Sequence, residues 1–202
     1  MKKLLVMSMM VWTMSVTPSV MAAGNAAAGE ALSMTCAACH GVDGNSPSNM
    51  FPKIAGQGEG YLLKQLQEFK SGVRENAVMA PMVAALSEQD MADLAAYFSS
   101  KPTAPGAVTE ELLEAGQTVY RAGNKESGLP ACMACHGPTG LGVPAAKWPA
   151  LSGQYASYVE AQLKAFAAGT RSNDANSMMR DIAGKMTADE IKAVSAYVAG
   201  IH

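Results

Sequence analysis

The chain has 202 residues and a formal net charge of −2, from 15 Lys or Arg against 17 Asp or Glu. A mildly acidic chain with no basic stripe is poorly suited to a phosphate backbone, so we expect no nucleic-acid partner. The length allows one domain or two.

The N-terminus predicts export. Two lysines precede an apolar run from Leu4 to about Val16, and small residues at positions 20–22 are typical of a cleavage site. We predict that residues 1–22 are a cleaved secretory signal peptide, and we expect the mature protein in the periplasm. An uncleaved membrane anchor is the alternative, but the run is short for a bilayer span and is interrupted by Thr13, Ser15, Thr17, Pro18 and Ser19.

Two copies of the motif Cys-x-x-Cys-His use all four cysteines and two of the three histidines of the chain. Two thiols at this spacing can each bond to one vinyl group of a haem, and the next residue is then held at the iron, where an imidazole is a suitable ligand. We therefore predict two covalently bound haem c groups. The predicted attachment residues are Cys36, Cys39, Cys132 and Cys135, and the predicted axial ligands are His40 and His136.

An internal repeat surrounds these motifs, because residues 51–76 match residues 148–173 at many positions with a constant offset of 97. A repeat of this length predicts two copies of one domain. A stretch with two prolines and a glycine separates the copies and predicts an extended linker. We expect an N-terminal domain over residues 23–101, a linker over 102–108 and a C-terminal domain over 109–202.

The predicted elements of both copies are helices. Apolar spacing and capping patterns predict helices over 26–38, 61–71, 110–122 and 158–168, and terminal helices opened by the capping boxes Ser87–Asp90 and Thr187–Glu190. No segment alternates apolar and polar residues as a strand does. The predicted fold class is therefore all-α.

The second axial ligand of each iron is predicted to be methionine. Only His202 remains besides the two motif histidines, so bis-histidine ligation of both irons is impossible. Aligning the two capping boxes pairs Met79 with Met179, and each precedes the residue before its terminal helix by seven positions. We assign these two thioethers as distal ligands. Met82 and Met178 are the alternatives. They rank second because their counterparts in the other copy, Ile182 and Val78, are not methionine.

The order of a haem motif, a proline loop, a helix, a methionine loop and a terminal helix resembles that of class I cytochromes c. With the stretches 51–57 and 61–66 and the tandem arrangement, the chain resembles the dihaem cytochrome c4 family. The resemblance implies two class I domains, each wrapped around one haem. It also implies that Pro52 and Pro149 offer their carbonyls to the ring N–H of the axial histidines.

The resemblance implies an electron carrier rather than an enzyme. Irons with both axial positions filled favour outer-sphere one-electron transfer. In the family, electrons pass from a quinol-oxidising cytochrome bc complex or similar donor toward a terminal oxidase. A peripheral association of the protein with the outer face of the inner membrane is left open. The alternatives are a dihaem redox enzyme such as a cytochrome c peroxidase, or the electron-transfer subunit of a periplasmic dehydrogenase.

Two further features of the sequence concern charge. Residues 23–101 hold five Lys or Arg against eight Asp or Glu, and residues 102–202 hold eight against nine, so the two halves could prefer different partners. Arg74 and Arg171 stand at matched positions of the repeat. They either pair with haem propionates, since a guanidinium suits a carboxylate, or are ordinary surface arginines.

Overall fold

The computed structural model describes residues 23–201, and the regular elements of this part of the chain are all helical. The predicted signal peptide and His202 lie outside the described residues. Two isolated β-bridges join Asn124 to Leu129 and Val143 to Trp148. No helix within residues 23–201 is long and apolar enough to cross a bilayer.

The same order of helices occurs twice, so the prediction of an all-α fold with two tandem copies is confirmed. We call residues 23–101 the N-half and residues 109–201 the C-half. The N-half contains α1 (Ala26–Leu32), α2 (Met34–His40), α3 (Glu59–Ser71), α4 (Met79–Val83) and α5 (Glu88–Ser99). The C-half contains α6 (Glu110–Ala122), α7 (Met133–His136), α8 (Ala156–Ala167), α9 (Met178–Ala183) and α10 (Ala188–Gly200), with 3₁₀ turns at Pro144–Ala146 and Ala175–Ser177.

The single helix predicted over residues 26–38 is divided into α1 and α2. Ser33 lies between them, and its hydroxyl donates a hydrogen bond of 2.8 Å to the carbonyl of Glu30. A serine that bonds to a preceding carbonyl competes with the helical hydrogen-bond ladder. Apolar spacing continues across such a break, which is why the sequence did not reveal it.

The terminal helices begin where the capping boxes predict. Ser87 Oγ accepts a hydrogen bond of 3.1 Å from the backbone N–H of Asp90, and Thr187 Oγ1 accepts one of 3.2 Å from that of Glu190. Both acidic side chains in turn accept a hydrogen bond from the backbone N–H of the capping residue. Two backbone groups are thus satisfied at each helix start.

In each half the first and last helices cross closely at a glycine. A Cβ on Gly29 of α1 would lie 2.0 Å from the carbonyl oxygen of Asp93 in α5, and one on Gly116 of α6 would lie 2.3 Å from that of Ala193 in α10. Glycine is therefore required at both crossings. Helices α3 and α8 also pack against α5 and α10, respectively.

Each half has its own apolar core beneath these crossings. The core of the N-half is formed by Leu62, Leu94, Ala95, Tyr97 and Phe98. The core of the C-half is formed by Val119, Tyr120, Leu129, Val159, Val194, Tyr197, Val198 and Ile201. Leu129 comes from the segment inserted before the second haem motif, so this insertion contributes to the core.

Two glutamines at matched positions join the halves. Gln57 donates to the carbonyl of Ala150 at 3.0 Å and accepts from its N–H at 2.7 Å, while Gln154 donates to the carbonyl of Lys53 at 2.8 Å and accepts from its N–H at 3.0 Å. Each side chain thereby satisfies one residue of the opposite backbone. The two halves therefore meet with approximate two-fold symmetry.

Candidate haem centres

One cavity of about 1360 Å³ extends through both halves. It is lined mainly by apolar side chains from α3, α5, α8 and α10, including Leu62, Phe69, Phe98, Val159, Phe166 and Val198. All eight residues selected from the sequence line it: Cys36, Cys39, His40, Met79, Cys132, Cys135, His136 and Met179. Residues that are up to 143 positions apart in the chain thus share one compartment.

The histidine of each motif is buried and held by one hydrogen bond. His40 Nδ1 lies 2.8 Å from the carbonyl oxygen of Pro52, and His136 Nδ1 lies 2.9 Å from that of Pro149. A carbonyl oxygen only accepts, so Nδ1 carries the proton and Nε2 is free to bind a metal. Burial lowers the pKa of both imidazoles, which favours the neutral, ligating form.

The four cysteines are partly buried free thiols, and no disulfide joins any of them. Cys36 and Cys39 lie one turn apart on α2, and Cys132 and Cys135 have the same spacing at α7. Burial raises the pKa of the Cys36 thiol and raises that of Cys132 to about 11. Binding of a metal ion by cysteine requires thiolates, whereas these thiols are neutral and face an apolar cavity. They therefore suit thioether attachment to a haem better than direct coordination of a metal ion.

The methionine loops place two thioethers in each part of the cavity. Met79 and Met82 lie one turn apart on α4, and Met178 and Met179 are consecutive on α9, with all four lining the cavity. Position in the cavity wall therefore does not show whether Met79 or Met82, or whether Met178 or Met179, is the axial ligand. The choice of Met79 and Met179 stays a prediction that rests on the repeat.

The two methionine loops are anchored by different side chains. In the N-half, Asn76 Oδ1 accepts hydrogen bonds from the backbone N–H groups of Val78 and Met79, at 3.0 and 2.9 Å. In the C-half, Asp174 accepts from the N–H of Arg180 at 3.0 Å and from its guanidinium at 2.8 Å. Sequence analysis missed both anchors. An asparagine or aspartate shortly before a helix is the signal that could have found them.

Arg74 and Arg171 form a reciprocal network across the interface. Arg74 donates to Tyr158 at 3.1 Å and to Gln162 at 3.0 Å, whereas Arg171 donates to Tyr61 at 3.1 Å and to Gln65 at 3.2 Å. Each also donates to the glutamine of its own half at 2.7 Å and lies over a phenylalanine ring of its own half. The alternative that these arginines are ordinary surface side chains is therefore wrong.

This network carries more positive than negative charge. Within residues 23–201 neither guanidinium forms an ion pair, and Glu68, a carboxylate at the interface, accepts from Lys64 at 2.5 Å and from Asn173 at 2.6 Å. Although burial alone would raise it, the charges of Arg171 and Arg74 hold the pKa of the Tyr61 hydroxyl below its usual value. Partly buried guanidinium groups such as those of Arg74 and Arg171 are stabilised by carboxylate partners.

The donor set of the cavity fits two haems. Paired thiols offer attachment, pinned imidazoles and thioethers offer axial ligands, apolar walls suit the macrocycle, and two guanidinia without carboxylate partners suit the propionates. The geometry of the His–Pro contacts also agrees with what the resemblance implied.

Comparison with known proteins identifies the family. The cytochrome c family model matches the chain twice, at residues 26–101 and 113–201. Cytochrome c4 of Azotobacter vinelandii is 48% identical over 200 residues, which cover 94% of this chain and 95% of that protein. The crystal structure of reduced recombinant cytochrome c4 from Pseudomonas stutzeri matches with a TM-score of 0.87 at 45% identity, covering 89% of this chain and all of that one.

The chain belongs to the cytochrome c4 family. It is a dihaem c-type cytochrome with two covalently bound haem c groups, one for each cysteine pair, and it is an electron-transfer protein. The chain is also similar to a protein named for a specific redox partner. A protein of Stutzerimonas stutzeri described as a thiosulfate dehydrogenase electron acceptor is 42% identical over 172 residues, covering 83% of this chain and 79% of that protein.

Relative to its first copy, the second copy carries an insertion over residues 123–130 and three extra residues before Met179. The insertion forms a short turn closed by hydrogen bonds of 2.9 and 2.8 Å between Asn124 and Leu129. The three extra residues lie in the loop that contains the 3₁₀ turn Ala175–Ser177. His136 nevertheless keeps the same Nδ1-to-proline contact as His40, so neither change disturbs the arrangement around the second motif.

Proposed function

We propose that this protein carries single electrons in the periplasm, from a quinol-oxidising cytochrome bc complex or a similar donor toward a terminal oxidase. The continuous cavity supports this proposal most strongly. Both predicted sites lie in one apolar compartment that crosses the interface. Two redox groups in a shared compartment can exchange an electron within the molecule without a partner protein between them.

We assign Cys36, Cys39, Cys132 and Cys135 to covalent attachment and His40, Met79, His136 and Met179 to axial ligation. Haem iron with a histidine and a methionine ligand supplies reversible one-electron chemistry. Pro52 and Pro149 fix the tautomer and orientation of the two imidazoles through Nδ1, so that the ring does not need to rotate during a redox cycle. Arg74 and Arg171 supply positive charge that suits the propionates.

The apolar walls of the cavity contribute to this function by excluding water. Leu62 and Phe98 belong to the apolar core of the N-half, and Val159 belongs to that of the C-half. A dry, rigid surrounding limits the rearrangement that accompanies a change of iron charge. The protein thus favours outer-sphere transfer over binding of a substrate at the iron.

An optical redox titration tests the proposal. We expect a haem c spectrum, two haems per chain, two one-electron waves and the weak far-red charge-transfer band of methionine-ligated ferric haem. A dihaem peroxidase instead requires an exchangeable distal position, so rapid binding of CO to the reduced protein or peroxide turnover would replace the carrier assignment with that alternative.

A second candidate is the electron-transfer subunit of a periplasmic dehydrogenase. The similarity to a thiosulfate dehydrogenase electron acceptor favours it, because that relative is described by its donor enzyme. Both candidates predict the same haem sites and differ only in the donor. Reduction of the purified protein by thiosulfate in the presence of a thiosulfate dehydrogenase, but not without it, would support the second candidate.

The periplasmic location rests on the predicted signal peptide. Residues 1–22 combine two lysines, an apolar run and small residues at the expected cleavage site. N-terminal sequencing of protein from a periplasmic extract should give Ala23 as the first residue. A chain that starts at Met1 and stays with the membrane fraction would instead support the uncleaved anchor.

A further inference from the structure

Two charged side chains of α3 reach across the interface to the methionine loop of the C-half. Lys64 donates a hydrogen bond of 2.7 Å to the backbone carbonyl of Asn173, and Glu68 accepts one of 2.6 Å from the side-chain amide of Asn173. Lys64 and Glu68 also form an ion pair with each other at 2.5 Å, one helical turn apart. We call Lys64 and Glu68 the α3 clamp.

The residue held by the clamp is buried and has no free polar group on its side chain. Asn173 is 7% exposed, and a haem in the cavity can only add to this burial. Its amide nitrogen also donates to Gln65 at 2.9 Å, while its side-chain oxygen accepts from Arg171 at 2.9 Å. The amide nitrogen is therefore bonded entirely to the N-half, whereas the oxygen is bonded within the C-half.

The clamped residue directly precedes the side chain that anchors α9. Asp174, with a side chain only 4% exposed, accepts from the backbone N–H of Arg180 at 3.0 Å and from its guanidinium at 2.8 Å. Arg180 follows Met179 in α9. The contacts thus run from α3 of the N-half through Asn173 and Asp174 to the helix of the predicted ligand. Hydrogen bonds to charged groups are stronger than neutral ones, so this path resists opening of the loop.

The N-half receives no equivalent support, although the fold is repeated. The counterparts of the α3 clamp on α8 are Ala161 and Ala165, whose methyl side chains neither donate nor accept a hydrogen bond. Asn76, the counterpart of Asn173, bonds only to the backbone of its own loop. In the described part of the chain no hydrogen bond joins residues 75–79 to the C-half. Clamping of a methionine loop across the interface therefore runs in one direction.

We propose that the α3 clamp positions the methionine ligand of the C-half. This inference rests on the proposed function, and in particular on Met179 as an axial ligand. Lys64 and Glu68 act through Asn173 and α9, so they are positioning residues. Opening of the loop would withdraw the thioether and leave a free position for an external ligand. The clamp lowers the population of the open loop and so keeps the second site closed.

Exchanging residues between the two helices tests the clamp. The double variant Lys64→Ala with Glu68→Ala gives α3 the residues of α8 and leaves the formal net charge at −2. The probe is imidazole, added to the ferric holoprotein in the background Met79→Ala, where the remaining far-red band reports on Met179 alone. We expect the double variant to lose this band at about tenfold lower imidazole concentration, because fewer hydrogen bonds oppose opening of the loop.

The reciprocal background shows whether the effect is confined to one half. In Met179→Ala the remaining band reports on Met79, and the double variant should not change the imidazole concentration that removes it. The matched control is Glu160→Ala with Lys164→Ala, which deletes the corresponding kind of ion pair from α8. Neither of these residues bonds to the N-half. This control should leave the imidazole dependence unchanged in both backgrounds.

Two results would overturn the positioning role. One is an unchanged imidazole concentration in the Met79→Ala background, and the other is an equal shift in both backgrounds, which would indicate general loosening of the fold. If the double variant binds fewer than two haems, Glu68→Gln replaces it, because it keeps an acceptor for Asn173 and removes only the charge. A smaller shift in the same direction is then expected, and no shift would overturn the role.

Failure of the clamp and failure of the proposed function give different results. If Met179→Ala does not halve the far-red band of the parent, Met179 is not a ligand, and the clamp fails with that assignment. If Met179→Ala halves the band but the double variant does not alter imidazole binding, only the clamp is wrong. A parent that has no far-red band at all would instead contradict the closed electron carrier itself.

Discussion

Arg74 of the N-half donates a hydrogen bond of 3.1 Å to the hydroxyl of Tyr158 in the C-half. The same contact, at the same distance, joins Arg171 to Tyr61 in the opposite direction. Each half therefore provides the cation for the other half's tyrosine. Both arginines also line the cavity, so the same two side chains contact the interface and the predicted haem sites.

Replacing Arg74 with glutamine should weaken the interface and lower the reduction potentials. The change removes hydrogen bonds to Tyr158 and Gln162, at a cost of about 2 kcal/mol in the free energy of unfolding. Loss of a positive charge beside the cavity favours the ferric form, so both midpoint potentials should fall. Redox titration and thermal unfolding of the holoprotein measure the two effects.

Lys125→Gln is the control for this variant, because Lys125 is exposed in the inserted turn. It removes the same charge at a residue that does not line the cavity and should leave both potentials unchanged. Arg171→Gln should behave like Arg74→Gln. Potentials that are unaffected by either arginine variant would contradict a role for this pair at the redox sites.

Met79→Ala should remove half of the far-red charge-transfer band of the ferric protein, because one of the two thioether ligands is lost. Met82→Ala should leave the band intact, although Met82 lies one turn away on α4 and lines the same cavity. Magnetic circular dichroism resolves the band. A loss of intensity in Met82→Ala but not in Met79→Ala would reverse the assignment in the N-half.

The same pair of measurements applies to the C-half with Met179→Ala and Met178→Ala. Here the two candidates are consecutive, so their side chains leave the helix in different directions. Only Met179→Ala should halve the band. The double variant Met79→Ala with Met179→Ala should abolish it, and a band that survives this change would mean that neither methionine is a ligand.

Gly29→Ala should destabilise the N-half by about 3 kcal/mol, because the added methyl group meets the carbonyl oxygen of Asp93. Gly72→Ala provides a contrast, since its Cβ would meet no atom within 4 Å but its φ is +79°. The left-handed backbone alone should cost about 1 kcal/mol. Denaturant unfolding followed by circular dichroism compares the two variants. Similar losses for both would mean that the α1–α5 crossing relaxes around the methyl group.

The capping box of α10 should make stability depend on pH. Hydrogen bonds from Asn124 and Thr187 hold the pKa of Glu190 below its ordinary value of 4.5. A carboxyl with a depressed folded-state pKa stabilises the fold above its unfolded-state pKa, and this contribution is lost as pH falls through the folded-state pKa. The stability advantage of the parent over Glu190→Gln should therefore be present at about pH 7 and decrease as the pH falls below about 4.5.

Denaturant titrations of both proteins across this range measure the advantage as a difference in the free energy of unfolding. Lys192→Gln serves as the control, because it alters a charge on the same helix outside the capping box. An advantage that stays constant down to about pH 3 would show that the carboxylate charge of Glu190 does not contribute.

The sequence was sufficient to predict those features that the repeat or a short motif encodes. The capping boxes at Ser87 and Thr187, the paired cysteines and the histidines all follow rules of local spacing. The contacts of Arg74 with Tyr158 and Gln162 do not, because they depend on how two domains meet. Matched positions in a repeat indicated that Arg74 and Arg171 share an environment, but they could not indicate that each faces the other half.

The loop anchors show a second kind of limit. Asn76 and Asn173 occupy matched positions, yet Asn76 holds the N–H groups before α4 while Asn173 reaches across the interface to Gln65 and Glu68. Three extra residues in the second loop account for the change, because Asp174 then takes the anchoring position. Equal residues in a repeat thus acquire different partners when the loop length differs.

The continuous cavity has a consequence for the protein as a product of duplication. Because residues of both halves line the one cavity, a fragment containing only residues 23–101 would lose the partners of Arg74 and part of the cavity wall. The two copies of the repeat therefore share one wall around both predicted sites. Separating them would require each copy to supply by itself the part of the wall that its neighbour contributes.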